Sequence, residues 1–81
     1  MATPRYRDDE VVKRIGAKIR QIRLEKGISQ MKFAHKCQLE LSTINRIELG
    51  KVNPSISLIF LLADKLEVEA SDLIRIARPA E

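Results

Sequence analysis

The segment of residues 29–50, SQMKFAHKCQLELSTINRIELG, contains no glycine or proline between its first and last residues. By helix propensity alone it fits one long helix. A single straight helix, however, would place Leu39 and Ile47 away from the apolar face that contains Cys37, so the apolar stripe would wander. A break near residues 38–40 removes this conflict, because each half then has one apolar face. We therefore predict two short helices joined by a tight turn.

The same break sets the bounds of these two helices. Ser29 is a suitable N-cap, so helix 2 is predicted over about residues 30–37. Helix 3 is predicted over about residues 41–49, with Leu39 filling the corner between the two helices and Gly50 ending the segment. The predicted apolar faces are Phe33, Ala34 and Cys37 in helix 2 and Ile44 and Ile47 in helix 3.

Amphipathic patterns on either side of this pair predict three more helices. Helix 1 is predicted over about residues 9–26, where Gly27 stops it and carboxylates at its start favour the helix dipole. Ser55 caps a fourth helix, and a short fifth helix over about residues 70–77 ends before Pro79. The apolar residues at helical spacing are Val12, Ile15, Ile19 and Ile22 in helix 1, and Ile56, Ile59, Leu62, Ala63 and Leu66 in the fourth helix. With no strand pattern, the predicted fold class is all-α, a compact five-helix bundle.

Length and charge indicate one small basic domain. The chain has 81 residues, 44% of them hydrophobic, which is enough for one modest core. Residues 1–8 have no apolar period and are expected to form a flexible arm, while residues 9–78 form the single domain. Residues 11–51 hold ten Lys and Arg against three Glu, a net charge of +7, whereas residues 52–81 carry −2. A basic segment of this kind attracts polyanions such as nucleic acid.

The residue types argue against an enzyme or a metalloprotein. One cysteine and one histidine are too few for a four-ligand zinc site, and the chain has no Gly-rich phosphate loop or nucleophile and base pair. His35 and Cys37 suggest a metal or redox site only superficially, since Cys37 at an apolar position is explained by core packing. No cofactor, metal or small-molecule ligand is expected. Neither a leader nor a transmembrane run is present, so the expected location is the cytoplasm, without membrane contact.

The two short helices resemble the helix-turn-helix of the phage repressor and Cro family. The likeness covers about residues 15–76 and is carried by IGAKIRQIRLEKGISQ, FAHKCQLELSTINRIELGKVNPS and ISLIFLLADKLEV, in that order. It implies a lambda-repressor-like DNA-binding domain with the helix-turn-helix at helices 2 and 3. Gln38 stands where the family usually has glycine, and Glu40 where it usually has a Ser or Thr cap. A positive φ at Gln38 would cost about 1 kcal/mol.

In such motifs the third helix enters the DNA major groove with its N-terminal part toward the base edges. With Ile44 and Ile47 facing inward, four outward residues are the candidate base readers: Leu41, Ser42, Asn45 and Arg46. Arg46 is the strongest candidate, because arginine can donate two hydrogen bonds to guanine. The alternative is an exposed arginine on a solvated helix, which Glu48 or Glu25 could hold.

The resemblance also implies phosphate contacts and one structural ion pair. Gln30, at the start of helix 2, matches a family glutamine that touches the DNA backbone; the alternative is a purely local cap. Further candidate phosphate contacts are Thr43, Lys51 and Asn53, extended by Lys32, Lys36, Arg5 and Arg7. Arg23 and Glu48 match a pair that forms a partly buried salt bridge and orients the third helix.

These observations favour a sequence-specific, double-stranded DNA-binding transcription regulator that acts as a homodimer on a palindromic operator. The acidic, apolar C-terminal third is the expected dimer surface, with Leu58, Leu61, Ile74 and Ile76. Small members of this family include restriction-modification controllers, antitoxins and phage-type repressors, and the sequence does not separate them. The alternative is an adaptor on the same fold that binds a partner protein and contacts DNA weakly or not at all.

Overall fold

The computed structural model describes residues 8–75 and has five α-helices and no strand in that range. The helices, numbered in chain order, are α1 Asp9–Glu25, α2 Gln30–Cys37, α3 Leu41–Glu48, α4 Ile56–Leu66 and α5 Ala70–Ile74. The predicted all-α fold, with its break after Cys37, is confirmed. Its core joins all five helices, and the large side chains that are completely buried are Phe33, Ile19, Ile44, Ile47, Leu62, Leu66 and Leu73.

Two predicted helix ends need small corrections, since α1 and α3 each end one residue earlier than expected. Within the described residues α5 runs to Ile74, and its predicted end near residue 77 lies outside them. Asp8, which was assigned to the arm, caps α1 by accepting hydrogen bonds from the backbone N–H groups of Glu10 and Val11 at 3.1 and 3.2 Å. The rest of the predicted arm, residues 1–7, and residues 76–81 lie outside the described residues.

The first four helices end in the same backbone turn. In each, the N–H groups of the two residues after the last turn bond back to helix carbonyls, and the first of these residues has a positive φ. Gly27 and Gly50 supply that conformation after α1 and α3, with φ values of 69° and 75°. Gln38 and Glu67 adopt it after α2 and α4 despite their side chains, with φ values of 57° and 61°. The sharp turn between α2 and α3 therefore depends on a strained glutamine.

The turn at Gln38 is held in place by the core. Leu39 donates its N–H to the carbonyl oxygen of Ala34 at 2.9 Å and packs its half-buried side chain against the core. Ser29 caps the start of α2 through a 3.0 Å hydrogen bond from the backbone N–H of Lys32. Glu40, by contrast, makes no side-chain cap at the start of α3. The orientation of α3 must therefore come from its packing, not from its N-cap.

Candidate nucleic-acid interface

One face of α3 is buried and the other is exposed, so this helix can be packed and still present side chains to a ligand. Ile44 and Ile47 are each 1% exposed and lie in the core. The exposed residues, called here the reading face, are Leu41, Ser42, Asn45 and Arg46. Arg46 forms no ion pair and no side-chain hydrogen bond with any residue in the described range. Its guanidinium is therefore available to an external acceptor.

An ion pair joins α1 to the last residue of α3, the helix that carries the reading face. The Nε and Nη2 atoms of Arg23 donate to the Oε2 and Oε1 atoms of Glu48 at 2.7 and 3.0 Å. The two side chains are only 6% and 1% exposed. The third nitrogen, Nη1, donates to the carbonyl oxygen of Ile28 at 2.8 Å, in the loop before α2. The guanidinium thus links α1, the α1–α2 loop and the C-terminal turn of α3.

Gln30 extends this network to the start of α2. Its Nε2 atom donates to Oε1 of Glu48 at 3.0 Å, and the side chain is half-buried. One carboxylate therefore accepts hydrogen bonds from both helices that surround α3, and within residues 8–75 no buried side-chain polar atom lacks a partner. Neither Glu48 nor Glu25 holds Arg46 in this structure, because Glu48 binds Arg23 and Gln30 while Glu25 accepts a bond from Gln21. The base-reading role of Arg46 stays a prediction beside the alternative of an exposed, solvated arginine.

Gly16 allows α1 to approach α3 at this point, and the sequence reading overlooked it. A Cβ atom at Gly16 would overlap the carbonyl oxygens of Ile47 and Glu48, the last two residues of α3. Only glycine fits such a close approach between a helix and another backbone. An isolated glycine inside an amphipathic helix pattern was the available signal, because it commonly marks a packing requirement of this kind.

The remaining predicted phosphate contacts lie on α2, on α3 and in the loop after α3. Thr43 is half-buried on α3, and its backbone N–H bonds to the carbonyl oxygen of Glu40. Four further candidates are exposed: Lys32 and Lys36 on α2, and Lys51 and Asn53 in the loop after α3. Arg5 and Arg7 lie outside the described residues. None of these positions is tested by the structure, and all remain predictions.

The apolar surface of the C-terminal helices differs from the predicted one in its members. Leu58 and Leu61 are half-buried and pack against the core, which leaves them little area for a partner. Ile56 and Phe60, one turn apart on α4, are instead 77% and 62% exposed. We call these two residues the α4 patch. Ile74 on α5 is also exposed, at 50%, while Ile76 lies beyond the described range.

His35 and Cys37 lie in different environments, one exposed and the other buried. Cys37 is buried in the core, and burial raises the pKa of its thiol above the ordinary value, against smaller opposing effects of Lys65 and Lys36. His35 is exposed on α2. In the described part of the chain no three histidine, cysteine or carboxylate residues are grouped as metal ligands would be, and no helix there is long and apolar enough to cross a membrane.

Comparisons with known proteins agree with this geometry. The family model HTH_3, described as helix-turn-helix, matches residues 19–73, which run from α1 into α5. The control protein C.BamHI of Bacillus amyloliquefaciens is 42% identical over 60 residues, which are 73% of this chain and 74% of that protein. In both comparisons the matched part of this chain includes the reading face and the residues Arg23 and Glu48.

Solved structures give the same result. The restriction-modification controller protein C.AhdI from Aeromonas hydrophila superposes with a TM-score of 0.74 at 33% identity, over 82% of this chain and 98% of that one. The DNA-binding domain of BldD gives a TM-score of 0.78 at 27% identity, over 84% and 99% of the two chains. The fold, the turn between α2 and α3 and the extent of the family match lead to one conclusion: this chain belongs to the HTH_3 family of helix-turn-helix, DNA-binding transcription regulators.

Proposed function

We propose that this protein is a sequence-specific regulator that binds a palindromic double-stranded DNA operator as a homodimer and controls restriction-modification genes. The observation that carries the proposal is the exposed reading face of α3, a helix whose C-terminal end is tied to α1 by the buried Arg23–Glu48 pair. A reader helix needs both properties, because base discrimination depends on side chains held in one geometry relative to the groove.

The side chains of the reading face can recognise different bases. Arg46 can donate two hydrogen bonds to O6 and N7 of guanine, and Asn45 can pair with adenine. Leu41 is 43% exposed and suits the methyl group of thymine, whereas Ser42 can pair with several edges. Arg46 is the principal reader in this proposal. The net charge of +7 over residues 11–51 would supply affinity through phosphate contacts that do not depend on sequence.

The α4 patch is the proposed dimer surface. Two exposed apolar side chains one turn apart on a helix can pack against the same residues of a second copy around a two-fold axis. Ile74 is a third exposed apolar residue, on α5, which packs against α4, while Leu58 and Leu61 pack against the core. Pairing through α4 would leave the reading face of each protomer free. The net charge of −2 over residues 52–81 makes this region a poor DNA surface, which fits a separate role.

The choice of restriction-modification control rests on the relatives. C.BamHI is described as a control protein, and C.AhdI as a restriction-modification controller. Both are at least 33% identical to this chain over most of its length. Control of a toxin operon or of phage genes, by an antitoxin or a phage-type repressor, is compatible with the same fold but has no comparable support from these two relatives.

Selection of bound duplexes from a random DNA pool tests this proposal. We expect the wild-type protein to enrich a palindromic sequence, and native mass spectrometry to find two chains on one duplex. Arg46→Ala should relax one position in each half-site and cost about 1–3 kcal/mol of discrimination there. Arg14→Ala is the matched control, because Arg14 is a partly exposed arginine of α1 that pairs with Glu10.

Three other results of this selection would contradict parts of the proposal. No enrichment by the wild-type protein would contradict sequence-specific binding and favour the protein-binding adaptor. Enrichment of a sequence without symmetry, bound by one chain, would contradict the homodimer. Equal relaxation by Arg46→Ala and Arg14→Ala would contradict a reading role for Arg46.

A further inference from the structure

A cleft of about 830 Å³ opens beside the reading face, between α1 and α3. Arg20 and Leu24 of α1 form one wall, and Asn45 and Leu49 of α3 form the other. Gln30, at the first residue of α2, also lines it. The cleft therefore brings Asn45, a predicted base reader, and Gln30, a predicted phosphate contact, together with Arg20 and Leu24 of α1. Neither of these α1 residues was among the predicted DNA contacts.

The charge of this cleft comes from Arg20. Arg23 and Glu48 also line it, but they neutralise each other through two hydrogen bonds. Arg20 is exposed and forms no ion pair or hydrogen bond with any described residue. The lining thus carries a net charge of +1, from a guanidinium that is free to donate several hydrogen bonds.

The side chains around Arg20 favour the binding of an anion in the cleft. The amide groups of Gln30 and Asn45 can donate further hydrogen bonds from the other walls. Leu24 and Leu49, which are 54% and 53% exposed, add apolar side chains to the same lining. Because Arg20 is exposed, its attraction to an anion is screened by salt, so binding through Arg20 should weaken as the salt concentration rises.

We infer that Arg20 binds the DNA backbone, with a phosphate of the strand that flanks the reader helix lying in this cleft. In helix-turn-helix complexes the helix before the reader crosses the backbone, and α2 begins at Gln30 in this cleft. Because Arg20 lies on α1 and not on the reader helix, its proposed role is to position the protein without selecting a sequence. This inference rests on the proposed DNA-binding function and extends its contact surface to α1.

The test is the salt dependence of binding to the selected duplex, measured by fluorescence anisotropy for the wild-type, Arg20→Gln and Lys18→Gln proteins. Lys18→Gln is the matched control, because it removes the same charge from the same helix. Lys18 lies two residues before Arg20, about 160° away around α1, and does not line the cleft. Both variants should unfold at the wild-type temperature, since neither side chain forms a hydrogen bond or ion pair in the described range.

We expect Arg20→Gln to reduce the slope of log K against log[salt] by about 0.9 for each protomer. For a dimer this makes the wild-type advantage about tenfold larger at 50 mM than at 200 mM salt. The preferred sequence should stay the same. Lys18→Gln should retain nearly the wild-type slope.

Two results would overturn the inference while leaving the proposed function intact. In the first, Arg20→Gln has the wild-type slope while the wild-type protein binds its duplex specifically. In the second, both variants reduce the slope equally, which assigns the effect to overall charge. A changed preferred sequence with Arg20→Gln would instead make Arg20 a base reader and would overturn its assignment to the backbone. Absence of specific binding by the wild-type protein would be a failure of the proposed function itself.

Discussion

The two exposed surfaces of this small domain are built in opposite ways. Around α3 the exposed residues are mostly polar or basic, and the charge of residues 11–51 is +7. On α4 the most exposed large side chains are apolar, Ile56 and Phe60, in a region of net charge −2. Polar side chains on a rigid helix suit a groove lined by hydrogen-bonding groups, whereas apolar side chains suit a second protein surface.

The support beneath the two surfaces differs as well. The helix of the reading face packs Ile44 and Ile47 into the core and is also tied at its end by Glu48, whose carboxylate accepts hydrogen bonds from Arg23 and Gln30. The α4 patch stands over an apolar core that includes Ile59, Leu62 and Leu66. An ion pair specifies direction through hydrogen-bond geometry, while apolar packing tolerates small shifts. The chain thus places its buried, directional hydrogen bonds at α3, the helix whose orientation a DNA-reading role would require.

The largest expected effect comes from breaking the support of the reading face. Glu48→Ala leaves the buried guanidinium of Arg23 without its counter-ion, so we expect a loss of about 3–5 kcal/mol in the free energy of unfolding. Urea unfolding followed by circular dichroism measures it. Glu10→Ala is the control, since it removes an exposed partner of Arg14 and should cost well under 1 kcal/mol. Similar losses in the two variants would mean that the buried pair has no special structural role.

The next effect concerns the α4 patch. Phe60→Asp should weaken self-association without DNA by about 2 kcal/mol or more, because it places a charge where an aromatic anchor would be buried. The fold should be unaffected, since Phe60 is 62% exposed. Sedimentation equilibrium measures the association, and Met31→Asp is the control, as an equally exposed apolar residue on α2. A dimer that survives Phe60→Asp would place the dimer surface elsewhere.

The smallest expected effect is on the stability of the fold, and it should be equal for the turn after α2 and the turn after α4. Gln38 near the reading face and Glu67 after α4 hold the same positive-φ turn, so glycine at either position should stabilise the fold by about 1 kcal/mol. His35→Gly, one turn earlier on α2, should instead destabilise it by about 0.5–1 kcal/mol. Thermal unfolding compares the three variants. A loss of stability in Gln38→Gly would mean that its side chain has a role in the turn that outweighs the strain.

The elements that local pattern determines could be predicted from the sequence. The break after Cys37, the N-caps at Ser29 and Ser55 and the inward positions of Ile44 and Ile47 follow from spacing and capping chemistry. The partnership of Arg23 and Glu48 was given by family resemblance, because the two residues are 25 positions apart in the chain.

Features that depend on tertiary contacts could not be predicted. Gly16 is required by two carbonyl oxygens of α3, and the cleft at Arg20 exists only once α1 and α3 pack together. The dimer prediction named Leu58 and Leu61 because apolar residues occur all around α4. Only the packed structure distinguishes the side that faces the core from the side that exposes Ile56 and Phe60.

The most direct test of the different roles of the two surfaces is an amide NMR titration of the protein with the duplex selected from the random pool. We predict chemical-shift changes concentrated in residues 29–32 and 40–46 and near Arg20, with the amides of residues 56–66 nearly unchanged. Changes concentrated on α4 instead, with the amides of α3 unaffected, would contradict the assignment of DNA reading to the exposed face of α3.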